Sequence, residues 1–194
     1  DLLSWSGGKD SFLAYLSLKE ENKRPILLLT SYSGFNHQVA HQEVQVEEIK
    51  KQADILSLPV IFIPLYSDTD YRERILLGTT LASRKTKTNR LVFGDLHLRH
   101  IRKWREDNFL KAMSAKNISL HFPLWDIPYK TLMATFLKSG AKAKISAVAD
   151  SKLEKLIKVG DEFNEELVAK LPDSVDKFGE NGEFHTLLEP KLGS

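Results

Sequence analysis

Short apolar runs separated by amphipathic stretches constrain the fold of this 194-residue chain more than any other feature. The runs fall at 2–5, 25–30, 60–65, 91–94 and 120–124, and apolar residues recur at helical spacing in 41–56, 70–83 and 101–115. A run without polar alternation is buried on both faces, and parallel strands joined by helical crossovers bury strands in that way. The expected fold is α/β, a doubly wound, mostly parallel sheet with helices on both faces, Rossmann-like in class. A helix over 129–138 ending at Ser139-Gly140 and a sixth strand over 143–149 continue the pattern. Beyond it come charged helical stretches at 153–159 and 162–171, an irregular glycine-bearing segment and a last strand at 184–188. The expected organisation is a sheet domain over 1–150 and a small C-terminal extension over 151–194 that closes over the sheet.

Ser6-Gly7-Gly8-Lys9-Asp10-Ser11 stands where the first strand (Leu2, Leu3, Trp5) gives way to the first helix (Phe12, Leu13, Tyr15, Leu16). Two glycines let the backbone approach an anion without a Cβ in the way. The flanking hydroxyls add donors, and the helix N-terminus points its N–H groups at the same spot. The P-loop pattern GxxxxGK[ST] occurs nowhere. The string instead resembles the SGGxDS loop of the PP-loop ATP pyrophosphatases, within the adenine nucleotide alpha hydrolase-like superfamily. These enzymes split ATP between the α and β phosphates and leave an adenylated substrate. The expected ATP- and phosphate-binding set is Ser6, Gly7, Gly8, Lys9, Asp10 and Ser11, with Thr30 and Gly94 at the ends of the second and fourth strands. In the usual strand order of this class, strand one lies beside strand four, which ends in Phe93-Gly94-Asp95. Asp95 is therefore expected near the cradle, where it and Asp10 are candidate ligands holding Mg²⁺ against the phosphates.

Composition narrows the chemistry. Lys and Arg number 28 against 26 Asp and Glu, so no large positive field gathers nucleic acid, and the expected partner is a small molecule or a defined protein site. No signal peptide opens the sequence and no apolar run is long enough to span a bilayer, which reads as cytoplasmic with no membrane partner. Cysteine is absent, so neither a persulfide nor a glutamine-derived thioester can form within the chain. Ammonia, if transferred, arrives free or from a partner. A zinc site would have to be built from His and carboxylates alone.

A closer likeness extends along the whole chain. Trp5 to Ser11, then Gly94-Asp95 followed by His97, Arg99, Arg102, Trp104, Arg105 and Glu106, then Phe122-Pro123-Leu124-Trp125, and finally Gly179-Glu180-Asn181-Gly182-Glu183-Phe184-His185-Thr186 resemble the diphthine-ammonia ligase family. The resemblance implies amidation of the diphthine carboxylate of elongation factor 2 from ATP and ammonium, with release of AMP and pyrophosphate. One departure bears on the acceptor: many members read Asp-Pro-Cys-Gly where this chain has Asp176-Lys177-Phe178-Gly179. Bacterial proteins carry the same signature although they lack diphthamide. His41 matches a histidine often seen in the family.

The ending also has a physical reading. Gly179 and Gly182 allow positive φ, so a tight loop can present Glu180, Glu183 and His185 together, groups suited to attracting an ammonium cation and removing a proton from the attacking nitrogen. The catalytic candidates are Asp10, Asp95, Glu180, Glu183 and His185. The substrate-binding candidates are His97, Arg99, Trp104, Arg105, Asn181, Gly182 and Thr186, with arginine the better anion fork. The competing expectations are an ATP-binding regulatory module and a PP-loop enzyme with a different, non-diphthine substrate. Pyrophosphate release on adding a carboxylate separates the module from the ligase.

Overall fold

Alternate residues of the short central strands face two different cores, and this alternation fixes which helices cover which face of the sheet. Strands β1 (Leu2–Ser4), β2 (Leu27–Ser33), β3 (Val60–Leu65), β4 (Arg90–Val92) and β5 (Ser119–His121) form a sheet in the order β3-β2-β1-β4-β5. Every neighbouring pair is parallel. These relations come from a computed structural model that describes residues 1–21, 25–39, 44–67 and 70–190, so His41 lies outside the described residues.

Leu3, Leu28 and Val92 pack on one face against Leu13 of α1 (Lys9–Glu21), Ile49 of α2 (Val46–Leu56) and Phe136 of α6 (Tyr129–Lys138). Leu2, Leu27, Leu29 and Leu91 point the other way, against Ile75 and Ala82 of α3 (Tyr71–Thr86). Phe109 and Met113 complete that second core. They belong to a single helical course in which α4 (Arg99–Arg105) passes through a π turn at Glu106–Leu110 into α5 (Lys111–Ser114). The expected doubly wound α/β fold is present. Strand order reverses between β1 and β4, which puts the Ser6–Ser11 loop and Gly94-Asp95 on the same edge of the sheet.

The sixth expected strand does not join this sheet. β6 (Lys142–Val148) pairs antiparallel with β7 (Phe184–Glu189) in a separate two-stranded sheet. Its residues alternate, with Ala143 and Ile145 buried and Lys142 and Lys144 exposed. That is the pattern of a strand with one wet face rather than of a parallel strand buried on both. The pairing spans residue 150, where the sequence pattern changes. The charged stretch after β6 is mostly turns, and the expected helix over 162–171 shortens to α7 (Glu165–Lys170). Asn164 caps α7, its Oδ1 accepting from the Leu167 N–H at 2.9 Å. Phe163, Phe178 and Phe184 enter the same core as α1 and α6, so this extension is packed in rather than appended. Among the described residues, no helix is long and apolar enough to cross a membrane.

Candidate nucleotide site

The turn from β1 into α1 is held by groups from three distant segments. Gly7 adopts φ +81°, and a Cβ there would meet Ile49 Cδ1 at 2.5 Å, so only glycine fits. Gln52, buried to 3% exposure, accepts from Trp5 Nε1 at 2.9 Å and donates to Gly7 O at 3.0 Å and Leu188 O at 2.8 Å. From the far end of the chain, Leu188 N–H donates to Gly7 O at 2.8 Å and Thr186 Oγ1 accepts from Lys9 N–H at 3.1 Å, 177 residues away in sequence. Ser11 Oγ donates to Gly8 O at 2.9 Å, Ser6 Oγ accepts from Gly8 N–H at 3.4 Å, and the two hydroxyls lie 3.5 Å apart. Thr30 is fully buried and spends its hydroxyl on Trp5 O at 2.7 Å, fastening β2 to the strand that leads into the cradle.

Lys9 lines the same edge and reaches into the C-terminal segment. Its ammonium is buried in the C-terminal segment, donating to Phe178 O at 2.5 Å and Asp10 Oδ2 at 2.9 Å. The rings of Phe178, Phe163 and Phe184 stand 5.1, 5.2 and 5.8 Å from it. A buried cation ringed by aromatic faces and one carbonyl is strongly localised, so Lys9 acts here as a strut between cradle and extension.

Asp10 and Glu180 are brought together in a cleft of about 150 Å³, lined also by Ser6, Gly8, Gly182, His185 and Thr186. Burial pushes the Asp10 carboxyl above its ordinary range against the pull of Lys9. Burial, with the negative charges of Asp10 and Asp95, pushes Glu180 up to about 8, outweighing Lys9 and the Leu96 N–H. Asp10 Oδ1 is shielded from solvent and has no hydrogen-bond partner. Two mutually repelling carboxylates, one with an unpartnered oxygen, are chemically suited to a divalent cation whose remaining ligands are water and phosphate oxygens. Among the described residues, no cluster of three or more His, Asp or Glu forms a complete metal cage.

Gly94 lies against the first turn of α1, since a Cβ there would stand 2.9 Å from Asp10 O. The Asp95 carboxylate turns elsewhere. It forms a two-point pair with Arg105, at 2.6 Å from Nε and 3.1 Å from Nη2, and Arg105 lies 4.1 Å over the Phe93 ring. Asp95 raises the guanidinium's proton affinity despite burial. Asp95 and Arg105, expected as metal ligand and substrate contact, thus occupy each other. Trp104 is 42% exposed beside Tyr71 and Phe109. Arg99 is exposed over a separate shallow depression with Arg102, Lys103 and Trp125.

The signature loop is braced from within. Glu183 Oε1 accepts from Asp176 N–H at 2.9 Å and Oε2 from Asn181 N–H at 3.1 Å, so its carboxylate ties the loop together, and it is absent from the cleft lining. Asn181, whose amide also reaches Glu183 at 3.3 Å, is taken up by the same brace. His185 lines the cleft from β7. His97 stands outside the cleft lining and contacts Tyr129 and Asp176. Gln52, Tyr129 and Asp176 were not singled out by chemistry in the sequence. Only Asp176 had a signal, an aspartate placed where it can cap the turn Phe178-Gly179-Glu180.

Fold and site together define an α/β protein with a Gly-Gly strand-to-helix turn at the switch point of a parallel sheet and a carboxylate-bearing loop lining the same cleft. No protein-family model and no curated protein matches the chain.

Proposed function

We propose that this protein is an ATP-dependent carboxylate–ammonia ligase of the diphthine-ammonia ligase kind. One observation carries the reading: the cradle and the signature loop, at opposite ends of the chain, line one cleft. The cleft is smaller than the roughly 300–1,000 Å³ of pockets that enclose a drug-sized ligand, so it suits the phosphate end of ATP, with the nucleoside along the strand ends. Ser6, Gly8, Ser11 and the first turn of α1 bind phosphate oxygens. Asp10 and Glu180 are the candidate Mg²⁺ ligands, and the ion when bound offsets phosphate charge.

In the proposed reaction, an oxygen of the acceptor carboxylate attacks the α phosphorus and the bond to the β-phosphate bridging oxygen breaks, releasing pyrophosphate. Ammonia then attacks the acyl carbon, the bond to the AMP oxygen breaks, and the nitrogen gives up one proton. With Glu180 given to the metal, His185 at the cleft wall is the group placed to receive it. Elongation factor 2 diphthine is the acceptor the resemblance implies in an organism that makes diphthamide. Phe178, where many members have cysteine, forms part of the cleft wall and stacks on Tyr129 at 4.4 Å.

The test is carboxylate-dependent exchange of labelled pyrophosphate into ATP, followed by product analysis with ammonium present. The expected products are AMP, pyrophosphate and an amide. ADP and inorganic phosphate as primary products would overturn the assignment, and ATP binding without exchange would favour a regulatory module.

A further inference from the structure

Asp176 uses both carboxylate oxygens fully. Oδ1 accepts from the N–H of Phe178 at 2.8 Å and of Glu180 at 3.2 Å. Oδ2 accepts from Tyr129 OH at 2.6 Å and lies 3.0 Å from His97 Nε2. Because the Tyr129 proton goes to Asp176, the network assigns the His97 proton to Nε2, shared between Asp176 and the Tyr129 oxygen. The Asp176 side chain is 9% exposed, and one face of Tyr129 is stacked on Phe178. Glu180 is itself caught at its far end, Oε2 accepting from Leu96 N–H at 3.3 Å, one residue before His97. The loop is therefore pinned twice to the segment after β4, once through Asp176 and once through Glu180.

We propose that Asp176, clamped by Tyr129 and His97, is a positioning residue that folds residues 176–180 so that Glu180 enters the cleft beside Asp10. The proposal concerns the placement of Glu180. Only the kinetic arm of its test rests on the ligase reading.

Tyr129→Phe removes the hydroxyl but keeps the ring that stacks on Phe178, and Asp176→Asn is the second variant. Amide hydrogen exchange on the intact protein is expected to speed up at least fivefold at Glu180 and Leu96 in both variants, while Leu3 and Val92 in the central strands stay unchanged. Unchanged exchange at Glu180 and Leu96 overturns the proposal, whatever the protein catalyses. In the kinetic arm, Tyr129→Phe should lower pyrophosphate release about tenfold with KM for ATP within twofold. The same substitution on a Glu180→Gln background should have no further effect, because both act through one group. Independent, multiplying losses overturn it. If the wild-type protein releases no pyrophosphate, the ligase reading fails and the exchange result alone decides the positioning role.

Discussion

At the scale of single residues, Gln52, Asp95 and Asp176 are each committed to protein partners, and the consequences can be measured. Gln52→Leu leaves the Trp5 N–H and the carbonyls of Gly7 and Leu188 without their side-chain partner. It should cost about 1–3 kcal/mol, and a fall in melting temperature of about 2–4 °C per kcal/mol checks it. Asp95→Asn should behave as a stability variant rather than a metal-site variant. It removes the countercharge from Arg105 within a largely buried pair, at about 3 kcal/mol, read by denaturant unfolding. Asp176 supplies a pH dependence. Burial raises its carboxyl, but the bonds from Tyr129, Phe178, Glu180 and His97 outweigh burial and hold it below the usual 3.8. A depressed folded-state value means stability that is present above the unfolded-state pKa and lost as pH falls through the folded one. Acid unfolding of Tyr129→Phe, with one of those bonds gone, should show a smaller loss of stability below pH 4 than wild type. An equal or larger loss would contradict this accounting.

At the scale of elements, β7 behaves as part of the cradle although it lies at the other end of the chain. Thr186→Val is nearly isosteric and removes the acceptor for Lys9 N–H. It should speed amide exchange at Lys9 up to about tenfold, the size of one net hydrogen bond, with little change at Leu28. The parts of this arrangement visible in sequence were those whose signal is local. Two glycines between an apolar strand and a helix mark the tight turn after β1, and continuous apolar runs mark the parallel sheet, while the pairing of β1 with β4 follows the usual strand order of this fold class. β6 lies outside the sheet that its apolar letters suggest, because Lys142 and Lys144 alternate with the buried Ala143 and Ile145 and leave one face of the strand wet. The Asp95–Arg105 pair was hidden because a helix-face arginine and a strand-end aspartate carry no mark of each other in sequence. The glutamates of the signature look alike as letters. Only the loop's fold separates Glu180, which enters the cleft, from Glu183, which braces it.

At the scale of the whole molecule, the sheet supplies a rigid edge, and the chain's two ends meet there through Lys9, Gln52, Thr186 and Leu188. Ser11→Ala should leave this scaffold folded while lowering pyrophosphate release on the order of 10²-fold, if the hydroxyl steadies charge that develops in the transition state. Circular dichroism and single-turnover kinetics check the two halves of that statement. The central claim is that the cradle and the signature loop form one nucleotide site. It is tested most directly by titrating ¹⁵N-labelled protein with Mg·ATP and following the amides of Gly8 and Ser11 together with those of Glu180 and Gly182. The account predicts that both groups shift along one binding curve with a single Kd. Movement of the cradle amides alone, or of neither group at saturating nucleotide, would contradict it.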